Sequence, residues 1–180
     1  MPKGTNERIV LGSGEAFIME YTGEMPEIDA ICTDDHRLGW IQGGAELTYT
    51  AEPHEEKDDL GRKSKIVVIS EEAILKLGVL TWNGQTLAQL VDRCKVTEAD
   101  GKRTIKIGGA GNAQGKNWVI CFFQEDKVDG NMWVLIRGVN QAGFTLTYAA
   151  DAATKLEPEF KALPQDDGTL ITMIEETDAA

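Results

Sequence analysis

At 180 residues with a net charge of −12, the chain is long enough for one domain whose folding buries roughly 70% of the surface its unfolded form exposes. Thirty acids against 18 bases leave no basic stripe to neutralise phosphates, so a protein that grips nucleic acid is not expected, and the charge by itself serves solubility. Two histidines and three dispersed cysteines leave little material for a catalytic or metal centre, and no apolar run approaches the about 18 residues of a membrane helix.

Residues 1–8 are polar and read as a flexible arm without the apolar core of a signal peptide. Ala16 to Tyr21 has a strand pattern. The Gly12-Ser-Gly14 before it cannot act as a phosphate cradle or nucleophile elbow, because both need a helix to follow directly. Met25 to Leu38 is irregular. Its Asp34, Asp35 and His36 are metal-ligand types, but adjacent residues rarely converge on one ion, and a solvated loop is expected. Cys32, Cys94 and Cys121, with no Cys-x-x-Cys, are expected as reduced and largely buried thiols.

Ala45 to Ala51 alternates as a strand, with Ala45, Leu47 and Tyr49 on one face. Five acids and one base then fall within Glu52 to Gly61, followed by Arg62, Lys63 and Lys65. Residues 52–63 are therefore expected as an exposed, projecting loop. Such a loop is a solvated tip or an arm that meets a neighbouring subunit through complementary charge. Lys65 to Ser70 is the returning strand. Ser70 as N-cap, Glu71 and Glu72 in a first turn, Ile74 and Leu77 on one face and Gly78 after the end predict a short helix. A second helix is predicted from Leu87, Leu90, Val91 and Cys94, spaced i, i+3, i+4 and i+7.

Thr97 to Gly101 reads as a turn and Arg103 to Ile107 as a strand. Gly108 to Gly115 fails the dinucleotide fingerprint by one position, since the third glycine would have to be Gln114, and the strand pattern Trp118 to Phe123 follows it. From Met132 onward the chain builds sheet. Trp133, Leu135 and Arg137 alternate with Val134 and Ile136 in a strand apolar on both faces, as a central or interface strand would be. Phe144, Leu146 and Tyr148 alternate with Thr145 and Thr147, and Asn140 to Gly143 would join the two as a hairpin. Phe160 and Ala162, then Leu170, Thr172 and Ile174, complete the pattern. Residues 177–180 read as a flexible end.

The sum is nine to eleven short strands and one helical region. This predicts a mainly β chain: an antiparallel β-sandwich or barrel of a single domain, 1–180, with a flanking helical region and a long charged loop between strands. No catalytic, metal or cofactor residues are expected, and no enzyme activity.

In order along the chain, Leu11-Gly-Ser-Gly-Glu15, Leu38-Gly-Trp-Ile-Gln-Gly-Gly-Ala-Glu-Leu-Thr-Tyr49, Asp59-Leu-Gly61, Glu71-Glu-Ala-Ile-Leu75, Thr81-Trp-Asn-Gly-Gln-Thr-Leu87, Gly143-Phe-Thr-Leu-Thr147, Glu159-Phe-Lys-Ala162 and Asp167-Gly-Thr-Leu170 resemble the tail tube (major tail) proteins of long-tailed bacteriophages and phage-tail-like particles. The resemblance implies hexameric rings stacked into a hollow tube in the virion tail, assembled in the bacterial host cytoplasm. Tape measure and tail-end (terminator) proteins would be partners. DNA would pass through in transit to the host without specific binding, and no membrane would be engaged. On this resemblance Glu52, His54, Glu55, Glu56, Lys57, Asp58, Asp59, Arg62 and Lys63 inherit a ring-stacking role. Trp133, Leu135, Arg137, Phe144, Leu146 and Tyr148 are candidates for a sheet shared between subunits. An acidic lumen would suit the transit of duplex, which carries about one charge per 1.7 Å. The competing expectation is a monomeric β-sandwich binding module, such as a baseplate or decoration domain. It would need exposed aromatics near loop tips, for which Trp40 and Trp82 are possible members.

Overall fold

Ala16, Phe17 and Ile18 are consecutive in a strand, yet all three are buried. Successive side chains of a strand point to opposite faces, so β1 (Glu15–Glu20) has protein on both sides of it. Ala16 and Ile18 enter the larger of two cores, and Phe17 enters the smaller. The structure, a computed structural model, describes residue 10 and residues 12–177. The expected arm at 1–8 and all but the first residue of the expected end at 177–180 lie outside the described residues.

After β1 come a one-turn helix α1 (Ile28–Ile31), a 3₁₀ turn at Asp34–His36 and β2 (Arg37–Gly39). Two long strands follow, β3 (Ile41–Lys57) and β4 (Ser64–Val79), then α2 (Gly84–Leu90) and a hairpin of β5 (Cys94–Ala99) and β6 (Lys102–Ile107). A 3₁₀ turn at Ala110–Asn112 leads to β7 (Trp118–Gln124), β8 (Met132–Asn140), β9 (Glu159–Ala162) and β10 (Thr172–Glu175). Eight of the strands form one antiparallel sheet in the order β2-β1-β7-β8-β9-β4-β3, with β10 also on β8. The expected mainly β, antiparallel architecture is what the chain adopts.

Ile18, Ile120 and Ile136 stand opposite one another in β1, β7 and β8, all on the face of the larger core. Across it lie Ala73, Leu75, Leu77 and Val79 of β4, Phe160 and Ala162 of β9, and Leu87 and Leu90 of α2. Residues from both ends of the strand order meet in this one core, so the sheet must curl over on itself. Burying each of these isoleucines contributes roughly 2 kcal/mol relative to exposure. The opposite face of β1, β7 and β8 carries Phe17, Cys121 and Leu135, covered by Ile31 of α1 and the half-buried Met25. Two covered faces explain why β7 is apolar from Trp118 to Phe123 and β8 from Met132 to Ile136.

Three expected elements are corrected. The helix over 70–78 is the inner half of β4: Ala73, Leu75, Leu77 and Val79 are buried, a period of two that the cap-like Ser70-Glu71-Glu72 disguised. Backbone partners on both sides, β3 and β9, outweigh that local signal. The second helix is shorter than predicted and stops at Leu90, because Cys94 begins β5. Its start is set by Asn83, whose side chain accepts from the Gln85 and Thr86 amides while the Thr86 hydroxyl accepts from the Asn83 amide. The expected strand at Phe144–Tyr148 has no ladder among the described residues. Phe144 and Leu146 pack on the core and Tyr148 is 82% exposed. The hairpin from 140 to 143 therefore does not form, and the neighbours of β8 are β7, β9 and β10.

Candidate functional site

The fourth correction concerns residues 52–63, which are not a loop. β3 continues to Lys57 and β4 starts at Ser64, so only residues 58–63 turn. What projects is a two-stranded β-ribbon, paired from Glu52↔Ser70 to Lys57↔Ser64. Six strand residues at about 3.3 Å each carry it on the order of 20 Å beyond the body. Pro53 is tolerated in so long a strand for two reasons. It sits where the register shifts by a bulge, and β3 is the outermost strand of its sheet.

Ladder partners point to the same side, which assigns the two faces of the ribbon. Pro53, Glu55 and Lys57 share one face with Val68, Ile66 and Ser64. His54 and Glu56 share the other with Val67 and Lys65. Polar groups pair along the ribbon: Glu55 with Lys57 at 3.1 Å, the His54 ring with Glu56 at 2.7 Å, and the Ser70 hydroxyl donates to Glu52 at 3.0 Å. Such exposed pairs contribute well under about 1 kcal/mol each, so they do not hold the ribbon out by themselves. At the tip the Lys63 amide donates to the Asp58 carboxylate at 2.6 Å, and Gly61 supplies the left-handed residue the turn requires at φ 64°. That amide, joined by those of Leu60 and Arg62, holds the Asp58 carboxyl below its ordinary value. Asp59 and Arg62 are exposed around it.

The residues that sequence reasoning missed are apolar. Ile66, Val67, Val68 and Ile69 are four consecutive β-branched residues, and each is at least 42% exposed; Leu60 at the tip is 70% exposed. They look like a central strand by composition, and a central strand would be covered. Their partners Pro53, His54 and Glu55 cannot cover them, and that neighbour pairing was the signal that could have found them. At the foot of the ribbon, Val68, Ile69 and Ser70 border an open cleft completed by Pro164, Gly168 and Leu170.

The second candidate surface comes apart. Trp133 stacks on Phe123 with ring centroids 5.3 Å apart, Leu135 is buried in the smaller core, and the Arg137 guanidinium lies 4.2 Å over the Tyr21 ring and donates to the Pro164 carbonyl. Both ladder edges of β8 are occupied within the chain. Trp133, Leu135 and Arg137 are thus committed internally, and Phe144, Leu146 and Tyr148 lie outside any ladder. The six do not form one sheet. Trp82 packs against the larger core and its indole donates to Thr154 O, while Trp40 is half exposed beneath the Arg37 guanidinium.

Among the described residues, no group of three or more His, Cys, Asp or Glu side chains is placed to hold a metal ion. His36 Nδ1 sits 3.1 Å from the Ala30 carbonyl and 3.0 Å from the Thr33 hydroxyl, closing the turn after α1. The glycine-rich segment 108–115 wraps the end of α2: the Gln114 side-chain amide donates to the Ala88 and Val91 carbonyls, and the Gly108 and Gly115 amides donate to Arg93 O and the Asp92 carboxylate. No described helix is long and apolar enough to cross a membrane. No protein-family model matches the chain, and no curated protein matches it.

Proposed function

We propose that the chain is a structural subunit that assembles with copies of itself, forming hexameric rings stacked into a hollow virion tail tube that conducts DNA. The observation that carries the self-assembly is the β-ribbon: an isolated two-stranded hairpin is marginal in water, and this one leaves Ile66 to Ile69 exposed on it. A contiguous apolar strand flanked by charge is the composition of a contact surface with a polar rim. Each side chain that becomes fully covered adds on the order of 1 kcal/mol, given that about half of it is buried already. The outer edge of β3 is a second opening for a neighbour, since its backbone groups face no strand among the described residues. The sixfold ring, the stacking, the DNA conduit and the tape measure and tail-end partners rest on the sequence resemblance to tail tube proteins. The acidic balance is compatible with DNA sliding past such a wall.

The test is negative-stain electron microscopy of the purified chain over a concentration series. Hollow rings or tubes are expected, and a species that stays monomeric at every concentration and salt tried overturns the assembly reading.

A further inference from the structure

Cys32 and Cys121 lie 89 positions apart in sequence, yet their sulfurs are 3.7 Å apart. Cys121 is fixed in the middle of β7, paired with Phe17 of β1 and Leu135 of β8 and wholly buried. Cys32 follows the last residue of α1, a one-turn helix whose N-cap makes no side-chain hydrogen bond, and it is partly open to solvent. We propose that this pair is an oxidation site, at which a small-molecule disulfide of the glutathione type converts the two thiols into a Cys32–Cys121 bond that staples the segment 25–38 to the central sheet.

The geometry assigns the two sulfurs different tasks. A bonded pair sits at about 2.05 Å, so the sulfurs must approach by under about 2 Å. The movable partner is Cys32, on a short turn; β7 has neighbours on both edges and is held. Only Cys32 is within reach of an external reagent, so it reacts first and Cys121 resolves. Cys32 loses its proton to water, and its sulfur attacks one sulfur of oxidised glutathione. The reagent's S–S bond breaks, and one glutathione thiolate leaves and takes up a proton. Cys121 then gives up its proton to water, its sulfur attacks the Cys32 sulfur, the mixed S–S bond breaks, and the second glutathione leaves as a thiolate that takes up a proton. Two protein sulfurs are oxidised by two electrons, and one disulfide is reduced to two thiols. Burial raises both thiols above their ordinary value, and Asp29 and Glu15 beside Cys32 act in the same direction. The exchange is therefore slow near neutrality and quickens as pH rises. Cys94, in the β5–β6 hairpin, is buried and serves as an internal control.

This inference is independent of the assembly reading. The full chain is incubated with oxidised glutathione at mildly alkaline pH, then alkylated under denaturing conditions and mapped by mass spectrometry. Wild type and Cys94→Ser are expected to lose two alkylatable thiols and to yield a peptide cross-linked between Cys32 and Cys121. Cys32→Ser and Cys121→Ala are expected to yield none. The oxidised wild type should melt roughly 5–10 °C above the reduced form, because the bond closes a long loop. A lasting glutathione adduct on Cys32, a chain dimer linked through Cys32, or full retention of alkylatable thiols overturns the proposal. The mapping is made on wild type, so it stands even if Cys121→Ala fails to fold.

Discussion

Asp58 shows how one side chain shapes the projecting feature. Its carboxylate accepts from the Lys63 amide across the turn, and its own amide donates to the Lys63 carbonyl at 3.1 Å. The folded chain prefers the charged carboxyl, whose titration is shifted below the ordinary 3.8. A depressed folded value means that the tip is held above that ordinary value and loosens as pH falls through the lower one. Amide protection at Lys63, corrected for intrinsic exchange, should therefore fall on acidification below about pH 4, while protection of β7 amides is unchanged. Asp58→Ala should show low protection at every pH. A tip equally protected in the variant would mean that the carboxylate does not hold the turn. The cluster of charge at this position is plain in the sequence. Which carboxylate bends back to which amide depends on the two-strand register, which no local pattern states.

At the scale of elements, the central strands β1, β7 and β8 were legible, and the outgoing arm of the ribbon at 52–57 was not. The alternation of Phe160 and Ala162, and of Thr172 and Ile174, is reproduced in β9 and β10, because burial on one face imposes it. Residues 52–57 carry no apolar alternation, since neither face of the ribbon meets a core, so composition pointed to a loop. The ribbon is nevertheless where apolar surface is left over. Ile66→Lys with Val68→Lys, both on one face, should abolish higher-order assembly in sedimentation experiments. The melting temperature of the monomer should change by less than about 2 °C, because exposed positions contribute little to the fold. Rings or tubes formed normally by this double variant would remove the ribbon's apolar face from the contact. The opposite error occurred at Glu71–Val79. Helix-like cap residues there are overruled by hydrogen bonds to β3 and β9, partners that lie far along the chain.

For the whole molecule, stability rests on the central strands and the larger core. Ile136 is wholly buried and stands in the row with Ile18 and Ile120, with Phe160, Leu75 and Leu87 in the same core. Ile136→Ala should cost about 3 kcal/mol and lower the melting temperature by roughly 6–12 °C, as read by calorimetry. A loss below about 1 kcal/mol would mean that the two halves of the sheet do not depend on this core. Sequence alone determined that the chain is mainly β and antiparallel, and that 133–136 is a strand apolar on both faces. It could do so because period and spacing are local properties. Only the tertiary structure decided that Phe144 to Tyr148 stays outside any ladder, that 52–70 stands out as a ribbon with bare apolar residues, and that Cys32 meets Cys121. Each of these depends on which distant strand comes alongside, and strand pairing is a long-range choice made by the packing of the whole chain.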